Sequence, residues 1–105
     1  MLKILIGIPV LDNIEISKAC LQHLFRNTKT DRLNLDVSVL IIDNGSESDV
    51  EKILKNEFSS GIFPIYFVKN PENRGVAPAW NQILTFTPEQ TLKKDFYYDY
   101  YVIAN

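Results

Sequence analysis

Apolar residues along the chain fall into two kinds of run. Four are nearly unbroken: 3–10 (Lys-Ile-Leu-Ile-Gly-Ile-Pro-Val), 37–42 (Val-Ser-Val-Leu-Ile-Ile), 64–68 (Pro-Ile-Tyr-Phe-Val) and 100–104 (Tyr-Tyr-Val-Ile-Ala). Runs of this length without polar alternation predict strands buried on both faces, as in a parallel sheet. Pro9 cannot donate to a ladder and marks the end of its strand, while Pro64, leading the third run, suggests an edge. Between these runs the apolar spacing turns helical: Ile16, Cys20 and Leu24 with Leu21 and Phe25; then Val50, Ile53, Leu54 and Phe58; then Ala79, Trp80, Ile83 and Leu84. Asp12 or Asn13, with Glu15, predicts the cap of the first helix, which runs to about residue 26 and gives way to a polar connection over 27–34. Ser48-Asp49-Val50-Glu51 reads as a capping box for the second, with Ser59-Ser60-Gly61 as its stop. Asn44-Gly45 is formally a hairpin signal, but helical spacing follows it, so it is read as a strand-to-helix loop. Pro78 falls in the first turn of the third helix, where a missing N–H costs nothing. Trp80 reads as core and Asn81 as a buried structural amide. Residues 85–99 carry a weaker pattern, with a short helix starting at Pro88 and a solvated Lys93-Lys94-Asp95.

The order β-α-β-α-β-α-β predicts an α/β fold: a three-layer, Rossmann-like half-domain with a mostly parallel sheet of about four strands and right-handed crossovers. The 37–42 run is its central strand. Ending on an apolar strand leads to the expectation that residues 1–105 are the front, incomplete portion of a longer domain, truncated after the fourth strand. Uncovered sheet would then favour self-association.

Composition narrows the class. At 105 residues, 46% of them hydrophobic, the chain suits one small domain with its own core. The net charge of -2 comes without a basic block, which argues against nucleic acid or an anionic membrane as partner. A single cysteine, Cys20, excludes an internal disulfide and suits a reducing, cytoplasmic setting, with peripheral membrane association left to the intact protein. Its simplest role is a small core hydrophobe. The apolar start of the chain is short, holds Gly7 and Pro9 and lacks a cleavage site, so it is read as a strand rather than a signal peptide. No stretch approaches the ~20 apolar residues of a membrane span. His23, mid-helix beside Leu24, reads as a surface or half-buried structural residue.

The polar residues that end the strands carry the candidate chemistry. Gly-x-Gly-x-x-Gly is absent after the first strand, which reads Gly7-Ile8-Pro9-Val10-Leu11-Asp12-Asn13, and so is a P-loop lysine. One His and one Cys support no zinc site. In a parallel sheet, ligands sit beyond the carboxyl ends of the strands. Three loops converge there: 9–13, 43–46 and 73–75. They supply carboxylates, amides, hydroxyls and the Arg74 guanidinium, which can meet a diphosphate bidentately. Gly75 lets backbone approach a ligand. A carboxylate such as Asp43 can accept from the imide N–H of a uracil-like base, a charged bond worth about 1.5–3 kcal/mol.

Ile8-Pro9-Val10-Leu11-Asp12-Asn13, Ile42-Asp43-Asn44-Gly45-Ser46 and Asn73-Arg74-Gly75-Val76-Ala77-Pro78-Ala79-Trp80-Asn81, in this order and spacing, resemble the N-terminal half of an inverting family 2 glycosyltransferase of the GT-A fold. The resemblance covers essentially the whole chain. It implies transfer of a sugar from a nucleoside diphosphate donor to a glycan or other hydroxyl acceptor. It places Pro9, Val10 and Asp12 along the nucleoside, Asp43 near the base with Asn44 and Ser46 in the same loop, and Asn73, Arg74 and Gly75 by the ribose or diphosphate. It also implies an Asp-x-Asp motif for Mn²⁺ or Mg²⁺ at or just after Asn105 and a general base further on. By that reading the chain as given holds no catalytic residue or metal ligand of its own and is not catalytically competent. Two other readings stand beside it: a receiver-like regulatory domain with Asp43 as phosphoacceptor, and a non-enzymatic α/β module that pairs through its open sheet.

Overall fold

The computed structural model describes residues 2–27, 35–58, 63–88 and 98–104. The polar connection after the first helix, the stop at 59–61, the short helix from Pro88, the Lys93-Lys94-Asp95 segment and Asn105, where a metal motif was expected to begin, lie wholly or largely outside the described residues.

The elements follow the predicted order: β1 (Leu2–Val10), α1 (Ile14–Asn27), β2 (Leu35–Asn44), α2 (Val50–Phe58), β3 (Ile65–Asn70), α3 (Val76–Thr85) and β4 (Tyr100–Ile103). All strand pairs are parallel, in the order β3-β2-β1-β4. β3 lies at an edge, as its leading Pro64 suggests. β2 runs longer than its apolar stretch because the ladder to β3 continues through Asp43 opposite Lys69 and Asn44 opposite Asn70. Two polar residues thereby become part of a rigid strand end.

Alternation along the strands sorts the core into two layers. Ile6, Ile8 and Val10 of β1 and Val37, Val39 and Ile41 of β2 pack with Leu21 of α1 and Val50, Leu54 and Phe58 of α2. On the other face Leu5, Leu40 and Ile42 pack with Ala79 and Ile83 of α3 and with Tyr98. Each fully buried Leu or Ile contributes about 1.5–3 kcal/mol. α3 sits directly on β1 at Gly7, where a Cβ would overlap the Ile83 side chain. Tyr98, which precedes β4, is buried beneath this layer and bonds Ser38, and burial is the main reason its hydroxyl pKa is pushed up to about 12. The start of β4 is tied to β1 by Asp99, whose N–H donates to the Lys3 carbonyl at 2.8 Å and whose carboxylate accepts the Lys3 N–H at 2.7 Å. α1 and α2 meet through Lys18 and Glu57 at 3.1 Å.

Chain direction sets where a ligand can sit. α1 and α2 carry the chain outward from β1 to β2 to β3, and α3 brings it back to β4 on the far side of β1. Strand order therefore reverses at β1, the position where parallel α/β sheets hold ligands beyond their carboxyl ends.

Several local expectations are corrected. Ile16 is 69% exposed, because α1 buries a line through Ser17 and Leu21 instead. Trp80 is 39% exposed rather than core: α3 is apolar on more than one side, and Ala79 and Ile83 face the sheet. Asn81 is exposed, and the amide turned inward is its neighbour Gln82. β4 faces the sheet's α3 side with Tyr101 and Ile103, leaving Tyr100 and Val102 exposed on the other.

Candidate functional site

The three strand-end loops meet, and hydrogen bonds lock them together. The first lock joins the ends of β1 and β2. Asp12 adopts a left-handed backbone, φ 58°, which Asp tolerates better than most residues. Its N–H donates to Ser46 Oγ at 2.8 Å. Its carboxylate does not cap α1 as expected. Oδ1 crosses to the second loop and accepts the N–H groups of Glu47 and Ser48 at 3.0 and 3.2 Å. The cap of α2 is likewise one residue later than predicted, with Asp49 Oδ1 accepting the Lys52 N–H at 3.2 Å.

Asp43 stands at the carboxyl end of β2, 3% exposed. Its Oδ1 accepts the Ser46 N–H at 2.9 Å, closing the loop that Ser46 shares with Asp12. No hydrogen bond from the described residues falls to Oδ2. Among those residues no fully enclosed side-chain oxygen or nitrogen lacks a partner, so Oδ2 is not sealed off from solvent.

The second lock joins β2 to the 71–75 loop. A Cβ at Gly45, φ +90°, would lie 2.6–2.8 Å from the backbone of Glu72 and Asn73, so only glycine fits where these loops touch. Asn44 is 7% exposed and makes four hydrogen bonds. Its Oδ1 accepts the Arg74 N–H at 3.1 Å and Asn70 Nδ2 at 3.2 Å. Its Nδ2 donates to Asn73 Oδ1 at 2.9 Å and to the Gly75 carbonyl at 3.1 Å. Asn73 Oδ1 also accepts the Gly75 N–H at 2.9 Å. The Asn44 side chain therefore holds the third loop, with its polar atoms taken up internally. Asn73 uses its oxygen in the same way.

What remains open is Arg74 and Gly75. Arg74 is exposed, and no ion pair among the described residues engages its guanidinium. Gly75 precedes α3 with φ 86° and ψ -178°, a conformation essentially reserved for glycine. Nothing lies within 4 Å of where its Cβ would be, so a ligand has room to approach the backbone there. The free N–H groups of α3's first turn add a weak preference for anions.

Pro9 and Val10 are placed differently. With Ile8, Leu11, Asn13, Ile16, Ser17 and Cys20 they line a small hollow of about 120 Å³ between β1 and α1. None of its lining comes from the end of β2 or from residues 71–75. Pro9 and Val10 lie opposite Ile42 and Asp43 in the ladder and take no part in the hydrogen bonds of the Asn44 side chain.

Asn70 and Gln82 did not enter the sequence reading of the site. Asn70 is 3% exposed at the end of β3, and it exchanges two hydrogen bonds with Gln82 of α3, at 2.9 and 2.8 Å. The available signal was slight: a polar residue ending an apolar strand and a glutamine beside Ile83.

Among the described residues no three His, Cys, Asp or Glu side chains come together. Asp12 Oδ1 and Asp43 Oδ1 each accept backbone N–H groups. No helix among them is long and apolar enough to cross a membrane.

The family model for glycosyl transferase family 2 matches residues 6–92. No curated protein and no solved structure matches the chain. The match runs from the middle of β1 to beyond α3 and includes every residue of the two loop locks, so the chain belongs to glycosyl transferase family 2.

Proposed function

We propose that the strand-end face of β1, β2 and the 71–75 loop binds the nucleoside diphosphate part of a sugar donor, for transfer of the sugar to a glycan or other hydroxyl acceptor. One observation carries this reading: loops from three different strands are locked into one ledge, and the groups left unengaged on it suit a nucleotide. Asp43 Oδ2 can accept an imide N–H of the base, using a lone pair that Ser46 does not occupy. The Arg74 guanidinium matches a diphosphate in charge and in its paired donors. Gly75 offers open backbone between them. Asp12 and Ser46 shape the ledge, and Pro9 and Val10 form its flank.

The ledge residues bind and orient the donor, and none of them is assigned as a general base. A divalent cation, Mn²⁺ or Mg²⁺, would accompany the diphosphate and neutralise it as leaving group. Its ligands are not assigned to the residues described above.

Calorimetric titration of the chain with UDP, GDP and dTDP, each with and without Mn²⁺, tests the reading. Saturable one-to-one binding of at least one diphosphate is expected, weakened by added salt because a guanidinium contacts phosphate. Failure of all three to bind at millimolar concentration, with and without the cation, contradicts it.

A further inference from the structure

The hydrogen bonds that hold the ledge do not stop at Asn44. Asn70 Nδ2 donates both to Asn44 Oδ1 at 3.2 Å and to Gln82 Oε1 at 2.9 Å, while Gln82 Nε2 donates back to Asn70 Oδ1 at 2.8 Å. The sequence of contacts is thus Gln82 on α3, Asn70 at the end of β3, Asn44 at the end of β2, and finally the backbone of Arg74 and Gly75 with the Asn73 side chain. Asn44 and Asn70 are 7% and 3% exposed, and neither reaches the open side of the ledge.

We infer that Gln82 and Asn70 are positioning residues for the donor: through Asn44 they set the backbone of residues 73–75, and with it the Arg74 guanidinium, in the geometry that receives the diphosphate. This inference rests on the nucleotide reading above.

The relay is directional. Asn44 must present its oxygen to Arg74 N–H and its amino group to the Gly75 carbonyl. A carboxamide turned by 180° would face donor with donor and acceptor with acceptor. The backbone N–H of Arg74 and carbonyl of Gly75 fix the polarity of the Asn44 amide, and Asn70 matches it by donating to Asn44 Oδ1. Gln82 then holds the Asn70 amide plane by a two-way exchange, and so restrains where the Asn44 side chain sits. The loop needs such help. Gly75 sits at φ 86°, where glycine has much freedom to lose, and residues 71–78 are all exposed, so little apolar burial holds them. The relay also crosses elements. Gln82 lies on the same helix as Gly75's first turn, so α3, β3 and β2 are referenced to one another at the point where the loop leaves the sheet.

The test uses the 105-residue chain with Gln82→Leu, which keeps the side chain's bulk and removes both its hydrogen bonds. Gln82→Glu is the companion variant, because it keeps the acceptor for Asn70 Nδ2 but sets an oxygen against Asn70 Oδ1 where the donor was. Two readouts are taken on protein shown by circular dichroism to be folded at the working temperature. Amide hydrogen exchange in the nucleotide-free protein is expected to quicken at Arg74 and Gly75 about tenfold in Gln82→Leu, with Ser46, held by Asp43 on the other lock, unchanged. The dissociation constant for whichever of UDP, GDP or dTDP binds the wild type is expected to rise three- to tenfold in both variants. Unchanged exchange at Arg74 and Gly75, or an unchanged dissociation constant where the wild type does bind, overturns the relay and leaves the nucleotide reading standing. A wild type that binds none of the three overturns the nucleotide reading, and the donor-positioning role with it, whatever the exchange shows. If Gln82→Leu does not fold, Gln82→Glu decides alone by the same two readouts.

Discussion

Asp43 engages one oxygen of its carboxylate. Oδ1 closes the 43–46 loop through the Ser46 N–H, and Oδ2 is the acceptor we propose for the base. The acid at the end of an apolar strand was legible in the sequence, and so was its candidate role. Its second role as a loop brace could have been guessed only as the general habit of Asp in turns. Removing the whole side chain would mix the two effects. Asp43→Asn separates them, since Oδ1 can still accept from Ser46 while Oδ2 becomes a donor facing the base. The account expects a thermal midpoint close to wild type and nucleoside diphosphate binding about ten- to hundredfold weaker, the scale of one charge-assisted hydrogen bond. Thermal melting and calorimetry on the same samples check it. Loss of folding together with binding would assign Asp43 to loop closure alone. Asp12 teaches the converse. It was read as a helix cap from its place before Ile14, but its carboxylate serves backbone N–H groups 35 and 36 residues away in sequence. Local spacing cannot reveal such a partner.

At the scale of elements, the strands were legible because burial on both faces leaves almost no polar positions in 3–10 and 37–42. Helix phase was harder. α3 presents Val76, Ala79, Trp80, Ile83 and Leu84, apolar around much of its circumference. The face that turns inward is chosen by Gly7, which admits Ile83, and by Asn70, which takes Gln82. Both choices are tertiary, which is why Trp80 and Asn81 were misplaced by one face and one residue. The attachment of β4 yields a pH prediction. Tyr98 anchors the segment before β4 under α3, and burial raises its pKa from 10.0 to about 12. The folded state therefore holds that proton more tightly than the unfolded chain. The stabilisation is complete below pH ~10 and is lost as pH rises through ~12, a change on the order of 2 kcal/mol. Denaturant melts between pH 9 and 12 should show this alkaline decline, and Tyr98→Phe should flatten it. An equal decline in the variant would place its cause elsewhere.

For the whole molecule, the β3-β2-β1-β4 order brings the ends of β1, β2 and β3 to one side, and the two hydrogen-bonded locks turn three loops into one surface. The central claim is that a nucleoside diphosphate occupies this surface. Mapping a titration of UDP, GDP and dTDP onto the backbone amides by ¹H–¹⁵N correlation spectroscopy tests it most directly. The account predicts that one of these ligands shifts the resonances of Ser46, Arg74, Gly75 and Leu11 in a saturable way. It also predicts that Lys52 and Lys55 on α2 stay in place. Shifts confined to α2 or to the opposite end of the sheet, or none at any residue at millimolar ligand, would contradict it.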